Sequence, residues 1–178
     1  MELMDVLRER KSVRSFREGE VEKEKLNLVM EAARLAPSWQ NKQCWSFIVV
    51  SDKEVIKKIG GNINGWLKGA PLAIVACGDP RQSGDRNGIQ YYLVDVSIAM
   101  QQLVLAATDL GLGTCWLGVF DEATVKQTLG IPDGIKVVAI TPLGYPAEKE
   151  GLRDRMTRTL IGSKNRKEIA EIVHHERW

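Results

Sequence analysis

Hydrophobic positions along this chain fall into two kinds of pattern, one helical and one extended, and the longest helical one dominates. Between Gly88 and Leu110 the residues Ile89, Leu93, Val96, Met100, Leu103, Ala107 and Leu110 repeat at alternating spacings of four and three, one stripe of a helical wheel at a hundred degrees per residue. Tyr91, Val94, Ile98 and Leu105 form a second stripe on nearly the opposite side, and Gln90, Asp95, Ser97, Gln101, Gln102 and Thr108 fill the flanks. A surface helix needs one apolar face, so two opposed faces imply burial from both sides. One side packs on the chain's own sheet. The other packs on a second chain or, if this is the central helix of a monomer, on more of the same chain. Asp95, Gln101, Gln102 and Asp109 interrupt any run long enough to cross a bilayer.

The remaining periodicity predicts amphipathic helices over residues 1–11, with Leu3, Val6 and Leu7 inward, and over residues 21–35, with Leu26, Val29, Met30 and Ala33 inward and Pro37 helping to stop it. Shorter helices follow Asp52, reaching Ile59, and Asp121, reaching Leu129, each capped by its aspartate. Residues 60–69 are irregular and carry Trp66, and a last helix covers 166–173. Apolar runs predict strands over 45–50, 70–77, 114–119 and 136–143. WSFIVV, LAIVAC and VVAI are continuously apolar rather than alternating, so their sheet is covered on both faces, a three-layer α/β sandwich whose strand directions stay open. GDPRQSGDRNG reads as a mobile polar loop, and residues 146–163 as a charged stretch with little periodicity.

A chain of 178 residues forms one domain, 1–178. Twenty-five basic against 23 acidic residues leave a net charge of +2, too balanced to support a nucleic-acid or membrane partner. MELMDVLRER reads as a charged amphipathic helix, not a signal peptide. Three widely spaced cysteines in apolar surroundings, Cys44, Cys77 and Cys115, fit reduced core thiols of a cytoplasmic protein. The histidines, His174 and His175, do not supply a metal set at usual spacings.

GLGTCWLG suggests a dinucleotide loop but has the wrong context: helix first, strand after, and Trp116 at the third glycine position. Gly111 reads as the left-handed residue ending the long helix, while Gly113 and Gly118 let backbone pass close to a neighbour or a flat ligand. The basic cluster is more informative. Arg10, Ser12 and Arg14 sit two apart in an extended stretch and point the same way. Two guanidinium forks and a hydroxyl on one face match a phosphate dianion. Complementing the first helix's dipole accounts for Arg8, Arg10 and Lys11 but not for this alternation.

RKSVRSF, APSWQNKQCW, YYLVDVSIAMQQLVLAATDLGLGTCWLG, PLGYPAEK and RKEIAEIVHHERW together resemble the FMN-dependent nitroreductase family, in the right order and over nearly the whole chain. The resemblance implies an α+β fold, a three-layer α/β/α sandwich around a mixed, mainly antiparallel sheet, as an obligate homodimer with its long helix in the interface. It implies that Arg10, Lys11, Ser12 and Arg14 hold the phosphate and ribityl chain of FMN. Lys164 and Arg166 would close around the same phosphate, and Pro37, Ser38, Trp39 and Asn41 would reach the flavin from the other subunit. The backbone of Cys115, Trp116, Leu117 and Gly118 would line the ring near N5, with no side chain acting as catalytic acid or base.

NADH or NADPH would donate hydride, and a nitroaromatic, a quinone or a similar electron-poor acceptor would take the same space in turn. The alternatives are a flavin carrier or sensor without turnover, or flavin chemistry of another kind such as cofactor fragmentation or reductive dehalogenation. The chain departs from the family pattern where Cys44 replaces a usual proline and where Trp39 replaces a small residue. A third departure is the simple loop 79–88 in place of the helical excursion of larger members.

Overall fold

The computed structural model describes residues 1–149 and 165–178; Lys164 and most of the charged stretch 146–163 lie outside them. In chain order the elements are α1 (Leu3–Glu9), α2 (Lys23–Arg34), β1 (Trp45–Val50), α3 (Lys53–Gly60), β2 (Leu72–Gly78) and the two-residue strands β3 (Asp85–Arg86) and β4 (Ile89–Gln90). There follow α4 (Tyr91–Asp109), β5 (Gly113–Thr114), α5 (Glu122–Leu129), β6 (Lys136–Gly144) and α6 (Ile169–Ile172). The four-stranded sheet has the order β1-β2-β6-β5 with every pair antiparallel. One parallel bridge, Ser12 to Thr114, extends it beyond β5.

The continuous apolar runs do what their pattern demands. In β2, Ile74 and Ala76 join a cluster with Val29 and Ala33 of α2 and Val96, Met100 and Leu103 of α4. The alternating residues Ala73, Val75 and Cys77 join a second cluster with Ile56 and Ile59 of α3 and Val125 of α5. Pleating sends successive side chains to opposite faces, so a strand apolar at every position must have a core on each side. The caps also form: Asp52 accepts from the N–H groups of Glu54 (2.8 Å) and Val55 (3.0 Å), and Asp121 from that of Thr124 (2.6 Å). The chain is therefore an α+β fold, an antiparallel sheet with helices packed against it.

Four expectations need correction. α4 begins at Tyr91, not Gly88, because residues 85–90 make a hairpin whose central Asn87 and Gly88 have φ of 55° and 78°. Two left-handed residues in a two-residue turn match the twist of paired strands, and Asn-Gly is the strongest short sequence for it. Second, the first stripe of α4 is buried only at Val96, Met100, Leu103 and Ala107, within an inward arc that also takes in Tyr92, Asp95, Ala99 and Val104. Leu93, at the edge of that arc, is exposed with Val94. Third, the strand expected over 114–119 pairs only at Gly113–Thr114 and in one bridge from Leu117 to Ile140. Fourth, α1 buries Val6 alone, leaving Leu3, Met4 and Leu7 exposed.

Candidate functional site

The chain places the expected site residues in two groups. The first forms where the stretch after α1 runs beside β5. Val13 N–H donates to Thr114 O at 2.8 Å and the Val13 side chain is buried. Ser12 and Arg14, its neighbours, therefore point the other way, Ser12 exposed and Arg14 half-buried, with Arg10 half-buried and Lys11 exposed. The far end is fixed by Arg17 N–H donating to Tyr145 O and Ala147 N–H to Ser15 O, both at 3.0 Å. Tyr145 strengthens this join. Its hydroxyl donates to Glu22 (2.6 Å) and accepts from Lys25 Nζ (2.6 Å), and the Arg17 guanidinium lies 4.2 Å over its ring.

Beside this stretch, residues 115–118 alternate between inside and outside. Cys115 is buried and its N–H donates to the buried Thr141 hydroxyl (3.2 Å); Leu117 N–H donates to Ile140 O (2.9 Å). Those two amides serve the fold. Trp116 and Gly118 face outward, and around Gly118 there is open space where a side chain would stand. The first group thus presents cations, a hydroxyl and outward backbone along one edge of the sheet, a donor set suited to an anionic, partly flat ligand.

The second group surrounds Trp39. Residues 39–41 form a turn of 3-10 helix, and Gln40, Asn41 and Gln43 all have left-handed φ, 48°, 56° and 50°. Strained backbone of this kind persists only where its surroundings fix it. The Ser38 hydroxyl accepts from Gln43 N–H (2.9 Å), and the Asp95 carboxylate accepts from Trp39 N–H (2.8 Å). The Trp39 and Tyr91 rings meet with centroids 4.1 Å apart, tilted by 42°. A cavity of about 430 Å³ opens beside the indole, lined by Trp39, Gln40, Lys42, Arg81, Gln82 and Ser83.

The first part of the 79–88 segment, on the other side of this cavity, is anchored by hydrogen bonds. Asp79 accepts from the Arg81 N–H (2.9 Å), its Nε (2.9 Å) and its second terminal nitrogen (2.8 Å), and from Gln82 (3.1 Å). The Arg81 hydrogen bonds, ahead of its charge, hold the Asp79 carboxyl at about 2. Burial, and then the charge of Asp95, push the Cys44 thiol up to about 11, so Cys44 is an inert core residue rather than a nucleophile.

Asp95, Ser83, Gly84 and Tyr91 were not among the expected site residues. An aspartate in the middle of an apolar helix and the Asn-Gly pair were the signals that pointed to them. Arg166 lies in the exposed C-terminal segment, donating to the neighbouring carbonyl of Asn165 (2.8 Å). The two groups sit toward opposite ends of α4. Asp95 anchors the Trp39 group in its second turn, and β5 follows its C-terminus. The fourteen helical steps from Asp95 to Asp109 span about 21 Å.

Comparison with known proteins agrees with this architecture. The nitroreductase family model matches residues 7–64 and 60–145. A nitroreductase family protein from Clostridium novyi NT is 40% identical, with a TM-score of 0.79, covering 83% of this chain and 87% of its own. An FMN-dependent nitroreductase from Clostridium difficile R20291 is 30% identical, with a TM-score of 0.79, covering 98% of this chain and 99% of its own. A Bacillus subtilis (strain 168) protein named as an FMN reductase using NAD(P)H is 28% identical, over 90% of this chain and 72% of its own. On sequence and fold together, the chain belongs to the nitroreductase family.

Proposed function

We propose that the chain is an FMN-dependent oxidoreductase that takes reducing equivalents from NADH or NADPH and delivers them to a small electron-poor acceptor, a nitroaromatic or a quinone. The observation that carries this reading is the separation of the two residue groups by α4. Each alone is half a flavin site. The phosphate half is Arg10, Lys11, Ser12 and Arg14 beside residues 115–118; the ring half is Pro37, Ser38, Trp39 and Asn41. A second copy packed along α4 would bring the phosphate half of one subunit to the ring half of the other. Leu93, Val94, Ser97, Ile98 and Gln101 line an outward groove of about 460 Å³ on this helix, which supports an obligate homodimer. In this reading residues 1–178 are one domain, with helical layers on both sheet faces in a three-layer sandwich. Among the described residues no helix is long and apolar enough to cross a membrane.

The residues suit the cofactor. Arg10, Lys11 and Arg14 supply cations to a phosphate dianion and Ser12 a hydroxyl, with Lys164 and Arg166 assigned to the same phosphate. Of the four residues 115–118, Trp116 and Gly118 offer outward N–H groups to the ring edge, while Cys115 and Leu117 support them from the core. Bound FMN supplies hydride chemistry at N5; the chain supplies grip, orientation and exclusion of water. Donor and acceptor use the same space in turn, which suits a ping-pong cycle and broad acceptor range.

The test begins with colour. The purified protein, reconstituted with FMN if needed, is expected to be yellow, to bleach anaerobically with NADH or NADPH, and to recover on adding a nitroaromatic or a quinone. A yellow protein that never bleaches would instead be a flavin carrier, and a chain that cannot be loaded with FMN would end the reading.

A further inference from the structure

We propose that Asp95 is a positioning residue that sets acceptor selectivity by locking Trp39 as a fixed wall of the acceptor pocket. The inference rests on the flavin-site reading above and names a residue which that reading does not use. Asp95 is 1% exposed, and both its carboxylate oxygens are engaged. Oδ1 accepts from Trp39 N–H at 2.8 Å; Oδ2 accepts from the Ser83 hydroxyl at 2.9 Å and from the Cys44 thiol at 3.5 Å. An ionised carboxylate accepts without donating, so one buried side chain can satisfy three donors from two separate segments at once.

Those segments are the strained loop 38–44 and the anchored segment 79–84, which form opposite sides of the cavity beside the indole. Ser83 belongs to both the cavity wall and the Asp95 contact, so wall and anchor are one mechanical unit. The indole is also boxed from behind. Tyr91 N–H donates to Gly84 O at 2.8 Å, fixing Gly84 so close that a Cβ there would stand 2.6 Å from the indole Cε2 and Nε1. Only glycine admits the tryptophan in this position. With Tyr91 against its ring, the Trp39 side chain has one place to be, and an acceptor must fit that place or be excluded. A wall that cannot yield discriminates by breadth; a released one discriminates less.

The test uses Asp95→Ala and Gly84→Ala, with Trp39→Phe versions of each to isolate the Trp39 signal. Trp39 accessibility is read as the acrylamide quenching that disappears with Trp39→Phe. Selectivity is read as the ratio of kcat/KM for 1,4-benzoquinone over anthraquinone-2-sulfonate. In both variants Trp39 quenching is expected to rise at least twofold and the ratio to shift at least fivefold toward the broad acceptor, with rates expressed per bound FMN. A merely structural role would lower both acceptors alike and leave the ratio in place. Unchanged quenching and an unchanged ratio in a folded Asp95→Ala variant would overturn the proposal; if Asp95→Ala does not fold, Asp95→Asn, which cannot accept from all three donors at once, is read in its place, with Gly84→Ala as the control that displaces the indole directly. If the protein cannot be loaded with FMN, the functional reading fails with the kinetic arm, and Trp39 quenching alone judges the Asp95 lock.

Discussion

Gly113 lies flat against Val13: a Cβ on Gly113 would stand 2.8 Å from the Val13 Cβ and 2.9 Å from each of its methyl carbons. This contact lets the Arg10–Arg14 stretch lie beside β5. Gly113→Ala must therefore push that stretch outward or strain the sheet edge. Overpacking of this kind costs about 1–3 kcal/mol, read as a lower unfolding midpoint together with lost FMN. Gly118→Ala, where a Cβ meets open space, is the control and is expected to leave stability unchanged. Equal stability of the two variants would show that the close approach at Gly113 does not matter.

Arg10 and Arg14 are expected to contribute separately to cofactor retention. Each charge-assisted hydrogen bond to a phosphate is worth about 1.5–3 kcal/mol, so Arg10→Ala and Arg14→Ala should each weaken FMN binding roughly ten- to a hundredfold. Titration of the apoprotein with FMN checks this directly. Undiminished affinity in both variants would move the phosphate elsewhere.

How much of this was legible in the sequence depends on the kind of signal. The unbroken apolar run of β2 announced a sheet with two covered faces, and Ile74 and Val75 do go to opposite cores. The alternation is seen for Ser12 and Arg14, because Val13 between them is buried against the sheet edge. Gly111 was recognisable as a helix end, and its φ is 75°. What failed were readings that need a partner. A helical wheel ranks Asp95 as flank because it counts polarity, and only Trp39, Ser83 and Cys44 reveal why a carboxylate is buried there. Residues 114–119 look like a strand locally, yet pairing is set by neighbouring chain and continues past Thr114 only as the single bridge from Leu117 to Ile140. The hairpin at Asn87–Gly88 was legible in principle, but the polar composition of its surroundings suggested a loop.

Asp79 provides a pH signature. Its carboxyl is held at about 2 from an ordinary 3.8, first by the Arg81 hydrogen bonds. A carboxyl depressed on folding stabilises fully above its unfolded value, and this contribution disappears as pH falls from about 4 toward 2. Asp79→Asn should therefore lower the thermal midpoint at pH 6 and approach the unmodified chain at pH 2.5. A gap between the two melting curves that stays constant over that range would refute a stabilising charge at Asp79.

Val94 tests the link between assembly and cofactor. It is 38% exposed, on the outward face of α4 beside Leu93, in the middle of the surface assigned to the second subunit. Val94→Glu puts a charge where a dimer would have to desolvate it, and such a penalty is several kcal/mol without a partner. The substitution touches neither Arg10 and Arg14 nor Trp39, and glutamate is a better helix former than valine. The far-ultraviolet circular dichroism of the variant should therefore match that of the unmodified chain. Sedimentation should give a single subunit, and FMN affinity should fall at least tenfold, because about 21 Å of helix separates the two half-sites on one chain. Coupled loss of dimer and flavin is the outcome required by a site built from two copies. A monomeric variant that binds FMN as well as before would mean that one chain holds the cofactor alone.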